Sequence, residues 1–320
     1  MHYAGKRILV TGGGGFLGSH ICERLIGEGS KVRILDSFAS GRRSNLKCFA
    51  HNIKIFNGDI RDKSLVHRAV SGVDVVIHTA FPLEMRTQDV SPEKLRALSA
   101  GFFHILEACL QEKALLIYLS SIAVYGNGKY FPIDENHALD PETIYGAVKI
   151  SEESYCRAFC KTHGLKAVIL RVSDIYGPRN TRLSVPVRFL LNALAERPLT
   201  VYGRGTQSRT YTFVSDFVDA VMLVLANQGI IGETFNIAGS RCISMLELAQ
   251  TVKEVTKTAA PIVFGPKEDT SERHLAIDIT KGKELLHFNP RVDLAQGLEE
   301  TYLWICRNPD YVQNFAHLIG

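Results

Sequence analysis

No two of the seven cysteines, at positions 22, 48, 109, 156, 160, 242 and 306, stand in a C-x-x-C spacing. Zinc-ribbon and dithiol redox patterns are therefore absent, and an odd count does not close a disulfide framework. Cys156 and Cys160 lie one helical turn apart, a spacing that serves packing. No metal site is expected. A block of like charge is also lacking: 37 Lys and Arg are scattered among 33 Asp and Glu, for a net charge of +4. A nucleic-acid binder concentrates its basic residues in a patch, so that class is disfavoured, and a small anionic ligand suits the mild surplus. No apolar run approaches the ~20 residues that a membrane helix needs; AVMLVLA at 220–226 is among the longest. No charged-then-apolar leader stands before the first strand, so a reducing, cytoplasmic setting is expected. Internal repeats and low-complexity tracts are missing as well.

What is present is an ordinary globular balance, 46% hydrophobic and 22% charged over 320 residues. That suffices for one large domain or two moderate ones. Apolar runs of strand length alternate with amphipathic stretches from Lys6 onward. RILV (7–10), KVRIL (31–35), IKIF (53–56), VDVVIH (73–78), ALLIYL (114–119) and KAVILR (166–171) are the strands. Helices are expected over 16–27, 63–70, 92–111 and 143–162. This rhythm predicts an α/β fold, a doubly wound parallel sheet with helices on both faces. The runs are continuous rather than alternating, which supports burial on both sides.

After Arg171 the rhythm breaks, with prolines at 178, 186 and 198. A helix near 215–226 and a strand near 233–237 look like a return to the main sheet. The expected division is therefore 1–173 plus about 211–239 for the first domain. About 174–210 plus 240–320 would form a smaller, interleaved α/β domain.

The first strand ends in VTGGGGFLGSH, where Gly12, Gly15 and Gly18 give a GxxGxxG spacing. Such glycines let the backbone turn tightly and approach a pyrophosphate, which then rests on the next helix's N-terminal amides. Asp36, at the end of the second strand, can accept bonds from ribose hydroxyls and would repel a 2′-phosphate. NAD is thus favoured over NADP, although Arg42 and Arg43 nearby could soften the preference. In NGDI (57–60), Asp59 could cap the adenine edge.

YGAVK places Tyr145 and Lys149 four apart near a helix start, on one face. Free tyrosine titrates near pH ~10, and a nearby ammonium favours its phenolate, bringing it toward general-base range. SSIAVYG (120–126) supplies Ser120 and Ser121 at a strand end. His78, in VIHTA, reads as a packed strand-end histidine.

Together these three elements resemble the extended short-chain dehydrogenase/reductase superfamily, in its nucleotide-sugar epimerase/dehydratase branch, UDP-glucose 4-epimerases among them. IYGPRN (175–180), VYGRGTQSRTYTFVSDFVDA (201–220), ETFNIAG (233–239), ISMLELA (243–249) and DITKGKELLHFNP (278–290) extend the resemblance over nearly the whole chain. It implies a Rossmann-type NAD domain and a C-terminal domain that grips a nucleoside-diphosphate sugar. Carried over by motif, Ser121, Tyr145 and Lys149 would be the catalytic triad. Gly12, Gly15, Phe16, Leu17, Gly18, Asp36, Asp59 and Ile60 would line the NAD site. Ser37, Ser40, Gly41, Thr79, Ala80 and Ser120 would join them, with Tyr145 and Lys149. On the substrate side the resemblance implies Ser121, Tyr145, Asp174, Val201, Tyr202, Arg209 and Arg273. The two arginines would clamp the diphosphate, for which guanidinium forks are suited. The resemblance also implies a homodimer, paired through the helices over 92–111 and 143–162.

Members of this branch begin by removing a sugar hydroxyl proton, usually at C4, while hydride passes to NAD. Dehydratases typically carry an Asp-Glu pair after the serine or threonine, and uronate decarboxylases commonly a glutamate. Here Ile122 and Ala123 follow Ser121, and neither can transfer a proton. That leaves 4-epimerisation ahead of ketone reduction, and both ahead of dehydration, decarboxylation or a non-catalytic NAD-binding role. Three departures from the family pattern stand out: Asp174 for an asparagine, Leu98 for an asparagine, and Val148 for a serine. A carboxylate at 174 would repel a diphosphate unless it turned away or paired with Arg179 or Arg182.

Overall fold

The computed structural model describes residues 3–82, 91–266, 274–313 and 315. Seven parallel strands form the main sheet: β1 (Arg7–Thr11), β2 (Lys31–Asp36), β3 (Ile53–Asn57), β4 (Val75–His78), β5 (Leu115–Ser121), β6 (Ala167–Val172) and the late-returning Thr234–Ile237. Their order across the sheet is β3-β2-β1-β4-β5-β6, with Thr234–Ile237 added beside β6. That is a doubly wound Rossmann-type arrangement, as expected, with a switch in winding direction between β1 and β4. Ligands of such sheets bind outside the carboxyl ends of the strands at the switch.

Pleating sends alternate side chains of β1 to opposite faces. Ile8 and Val10 pack with Ile21 and Leu25 of α1 (Phe16–Gly27), while Leu9 meets Val66 of α2 (Lys63–Val70) and Phe102 of α3 (Pro92–Glu112) on the other face. All these side chains are buried. Each contributes about 1.5–3 kcal/mol through burial. α4 (Ile144–His163) covers the same face as α3, where Cys156 packs with Cys109 and Tyr118.

Beyond β6, the strand β7 (Asp174–Tyr176) leaves the main sheet and pairs with β9 (Ser208–Phe213), which also pairs with Cys242–Ser244 and His274–Leu275. The stretch 211–213, at the start of the segment about 211–239 expected in the first domain, lies in this second sheet. The return begins with the helix Val214–Ala226, whose Phe217 and Val221 join the core around Ile8. A third apolar core gathers Val187, Leu190, Val201, Leu248 and Leu298. Here α5 is Val185–Leu194, and β8 (Leu199–Tyr202) pairs in parallel with Ile262–Gly265.

Candidate active site

A cleft of about 880 Å³ opens at the carboxyl ends of β1, β2, β4 and β5 and runs onto β7 and β9. Every cofactor-side residue expected between Gly12 and Ala80 lines it, as do Ser121, Tyr145, Asp174 and Arg209. Ser120, Lys149, Val201 and Tyr202 do not.

The glycine turn is built for close approach. Gly12 has φ +70°, and a Cβ there would lie 2.9 Å from the Cα of Ala80. A Cβ on Gly18 would lie 2.2 Å from the Gly12 carbonyl oxygen. Only glycine lets α1 sit directly on the turn. Gly15 is the N-cap of α1, and no side chain caps the helix. Its first-turn amides are thus left to an anion at that end.

Asp36 ends β2 and is buried. Its Oδ2 accepts from the Gly14 amide at 2.8 Å and its Oδ1 from the Phe38 amide at 2.7 Å. The carboxylate therefore ties the glycine turn to the loop after β2, and each oxygen keeps a lone pair for a ribose hydroxyl. Arg43 is drawn over the Phe38 ring, 4.3 Å from its centroid, whereas Arg42 lines the cleft. Asp59 lines the cleft too, but its carboxylate holds the Arg61 amide at 2.9 Å and guanidinium at 2.8 Å. Burial opposes its charge, and those Arg61 contacts outweigh it, leaving the carboxyl below its usual range.

Ser121 closes β5 and caps the short helical turn Ile122–Tyr125, its Oγ accepting from the Ala123 amide at 3.2 Å. A Cβ on Gly146 would lie 2.5 Å from the Ala123 carbonyl oxygen, so α4 begins hard against that turn. Thr143 caps α4 by accepting from the Gly146 amide at 3.0 Å. This packing brings Ser121 and Tyr145 to one cleft wall. The half-buried Tyr145 ring meets Phe81 edge-on, with centroids 5.1 Å apart.

Lys149, one turn further along α4, is buried. Its ammonium donates to the Leu119 carbonyl at 3.0 Å and to Glu152 at 3.2 Å. It also lies 4.6 Å from the Phe81 ring centroid and 4.7 Å from that of Tyr118. His78 is buried behind it, bonded to Thr11 Oγ1 at 2.8 Å. Burial, aided by the Lys149 charge, pushes that imidazole down to about 3, so it stays neutral.

Sequence reasoning missed the buried charges beneath this wall. The Ser120 hydroxyl turns from the cleft and donates to Glu153 at 2.6 Å. Arg171 of β6 grips both Glu153 oxygens, at 3.0 and 2.8 Å, and donates to Tyr125 at 2.9 Å. Burial disfavours the Glu153 anion, yet the Arg171 contacts prevail and hold its carboxyl below the usual range. The signal was present: two acids at i+3 and i+4 from Lys149, and an arginine ending an apolar strand.

In the far half of the cleft, Arg209 Nη1 lies 3.5 Å from Asp174 Oδ2. Arg179, one of the partners considered for Asp174, instead reaches Glu23 at 2.6 Å. Leu98 lines the cleft. Val201 is buried in the third core, and Tyr202 packs on Gly265, so the structure does not bring either to the cleft. Arg273 lies outside the described residues.

A family model described as the NAD dependent epimerase/dehydratase family matches residues 8–238. A UDP-N-acetyl-α-D-glucosaminuronate decarboxylase from Bacillus cytotoxicus is 36% identical over 320 residues, covering 93% of this chain and 97% of the relative. A UDP-glucose 4-epimerase from Thermotoga maritima, solved with UDP-glucose, superposes with a TM-score of 0.86 at 30% identity, covering 95% of this chain and 99% of that one. A UDP-glucuronic acid 4-epimerase from Bacillus cereus, solved with UDP-glucuronic acid and NAD, gives 0.84 at 28% identity, covering 97% and 99%.

Proposed function

We propose a reaction for this chain from one premise: it belongs to the NAD dependent epimerase/dehydratase family. It is an enzyme that modifies a nucleotide sugar with NAD, and its reaction is epimerisation, at C4 of the sugar. The glycine turn, the uncapped α1 N-terminus and Asp36 fit NAD, with the diphosphate on the α1 amides and a ribose on the carboxylate. Bound there, NAD would supply the hydride acceptor and donor for the sugar carbon.

The chain's own residues handle the proton. Tyr145 takes the hydroxyl proton as the carbon is oxidised, and Ser121 hydrogen-bonds the oxygen that becomes the ketone. The buried Lys149 ammonium, one turn along α4, supplies the positive field that favours a phenolate at Tyr145. After the keto sugar turns over in the cleft, Tyr145 returns the proton and the opposite alcohol forms. A C4 epimerase needs no further acid.

The observation that carries this reading is the cleft wall after Ser121, where Ile122 and Ala123 stand. A dehydratase must expel a hydroxyl, and neither residue can protonate it. A second reading, oxidation of a uronate followed by loss of CO2, is favoured by the 36% identical decarboxylase relative and by Glu142, a carboxylate lining the cleft beside Thr143. Incubating the NAD-loaded protein with UDP-glucose, UDP-glucuronic acid and their N-acetylated counterparts distinguishes the two. Epimers without CO2 support the first reading, and Tyr145→Phe must abolish them. Pentose products with CO2 support the second.

A further inference from the structure

Beneath Tyr145, the structure joins two opposite charges that the proposed reaction does not explain. Glu152, on α4, is buried, and its Oε2 sits 3.2 Å from the Lys149 ammonium. The same oxygen accepts the hydroxyl hydrogen of Tyr118, a fully buried side chain of β5. A carboxylate enclosed this way costs free energy to desolvate, and a hydrophobic side chain of similar volume often serves stability as well or better. Packing alone therefore gives no reason for an acid here.

The neighbours do not supply another partner for it. Glu153, next on α4, is already held by Arg171, Arg157 and Ser120. His78, on β4, is neutral. Tyr118 is kept protonated, its pKa raised by burial and then by the Glu152 charge. Cys156, one turn beyond Glu152, is likewise pushed up by burial. Among the described residues on this side, the Lys149 ammonium and the Glu152 carboxylate are the opposed charges.

We propose that Glu152 is a positioning residue for Lys149: its carboxylate draws the ammonium toward β5 and offsets its charge at Tyr145. This rests on Tyr145 being the base of the proposed reaction. A lysine acting alone would favour the phenolate so strongly that the oxygen would become a poor proton acceptor. The best general base lies near the working pH, and a paired lysine keeps Tyr145 there. Glu152 stands two helical turns from Tyr145, about 10 Å along α4, and unit charges that far apart at an effective dielectric of ~20 shift a proton equilibrium by about one pH unit. That is the effect the carboxylate exerts on Tyr145.

The test needs no substrate. The tyrosinate absorbance of NAD-loaded protein is titrated against pH, and the same titration of Tyr145→Phe is subtracted, isolating Tyr145. The pair is then repeated with Glu152→Gln, which keeps an acceptor for Tyr118 and removes only the charge. The Tyr145 midpoint is expected to fall by about one unit, so at a pH well below both midpoints the phenolate fraction rises about tenfold. Tyr118→Phe, a milder change that strips the carboxylate of its donor and favours its protonation, moves the midpoint the same way by less. Unchanged or raised midpoints in both backgrounds overturn the proposal and mark the pair as structural. Where Glu152→Gln does not fold, the Tyr118→Phe result decides. A Tyr145 that fails to titrate below pH 10 in any background contradicts its role as base, a separate failure from an unmoved midpoint.

Discussion

Arg209, on β9, points its guanidinium at the Asp174 carboxylate of the neighbouring β7, with 3.5 Å between Nη1 and Oδ2. The charge that would repel a substrate diphosphate is thus held by the residue expected to clamp it. Both side chains are more than a third exposed, so the pair is a weak one that a ligand can open.

Asp174→Asn leaves Arg209 without that partner and removes the repulsion. The KM for a UDP-sugar should fall several-fold, with kcat changed little. Arg209→Met should raise KM by at least tenfold. Steady-state kinetics on both variants check the assignment, and a KM that rises in Asp174→Asn refutes it.

Discrimination between the dinucleotides should rest on Asp36, whose carboxylate is fixed by the Gly14 and Phe38 amides. Asp36→Ser should weaken NAD binding by about tenfold or more and reduce the preference over NADP. The missing repulsion then lets Arg42, which lines the cleft, meet a 2′-phosphate. Titration of each dinucleotide by calorimetry reads the ratio directly.

The Glu153–Arg171 pair makes a prediction about acid stability. Burial raises the Glu153 carboxyl, the Arg171 contacts lower it by more, and its folded value ends below its unfolded one. Its stabilising contribution is therefore complete above the unfolded value, about 4.3, and disappears as pH falls through the folded one. Arg171→Met strips the buried acid of its two-point partner, leaving it Arg157 and Ser120, and should cost up to about 3–5 kcal/mol. The acid-unfolding midpoint, followed by circular dichroism, should move to higher pH in that variant.

Much of this architecture was legible in the chain. Continuous apolar runs with helical stretches between them predicted the parallel sheet, and the helix over 63–70 appears with those bounds. The glycine spacing and the Tyr145–Lys149 offset depend on local geometry, which sequence expresses well. Contacts between distant segments were not legible. The Asp174–Arg209 pair depends on β7 lying beside β9, residues more than thirty apart, and Val201 was expected in the cleft until the third core enclosed it. Likewise, nothing local in 211–213 distinguishes a main-sheet strand from one in the second sheet. The partner of Glu152 was legible only as a spacing, because burial decides whether a neighbouring acid pairs or points to water.

The most direct test of the central claim is proton NMR of UDP-glucose and UDP-glucuronic acid, each incubated with the purified protein and NAD. The account predicts inversion at C4 of at least one of them, no release of CO2 and no accumulation of NADH. A decarboxylated pentose product, or NADH formed in proportion to a stable keto sugar, would contradict it.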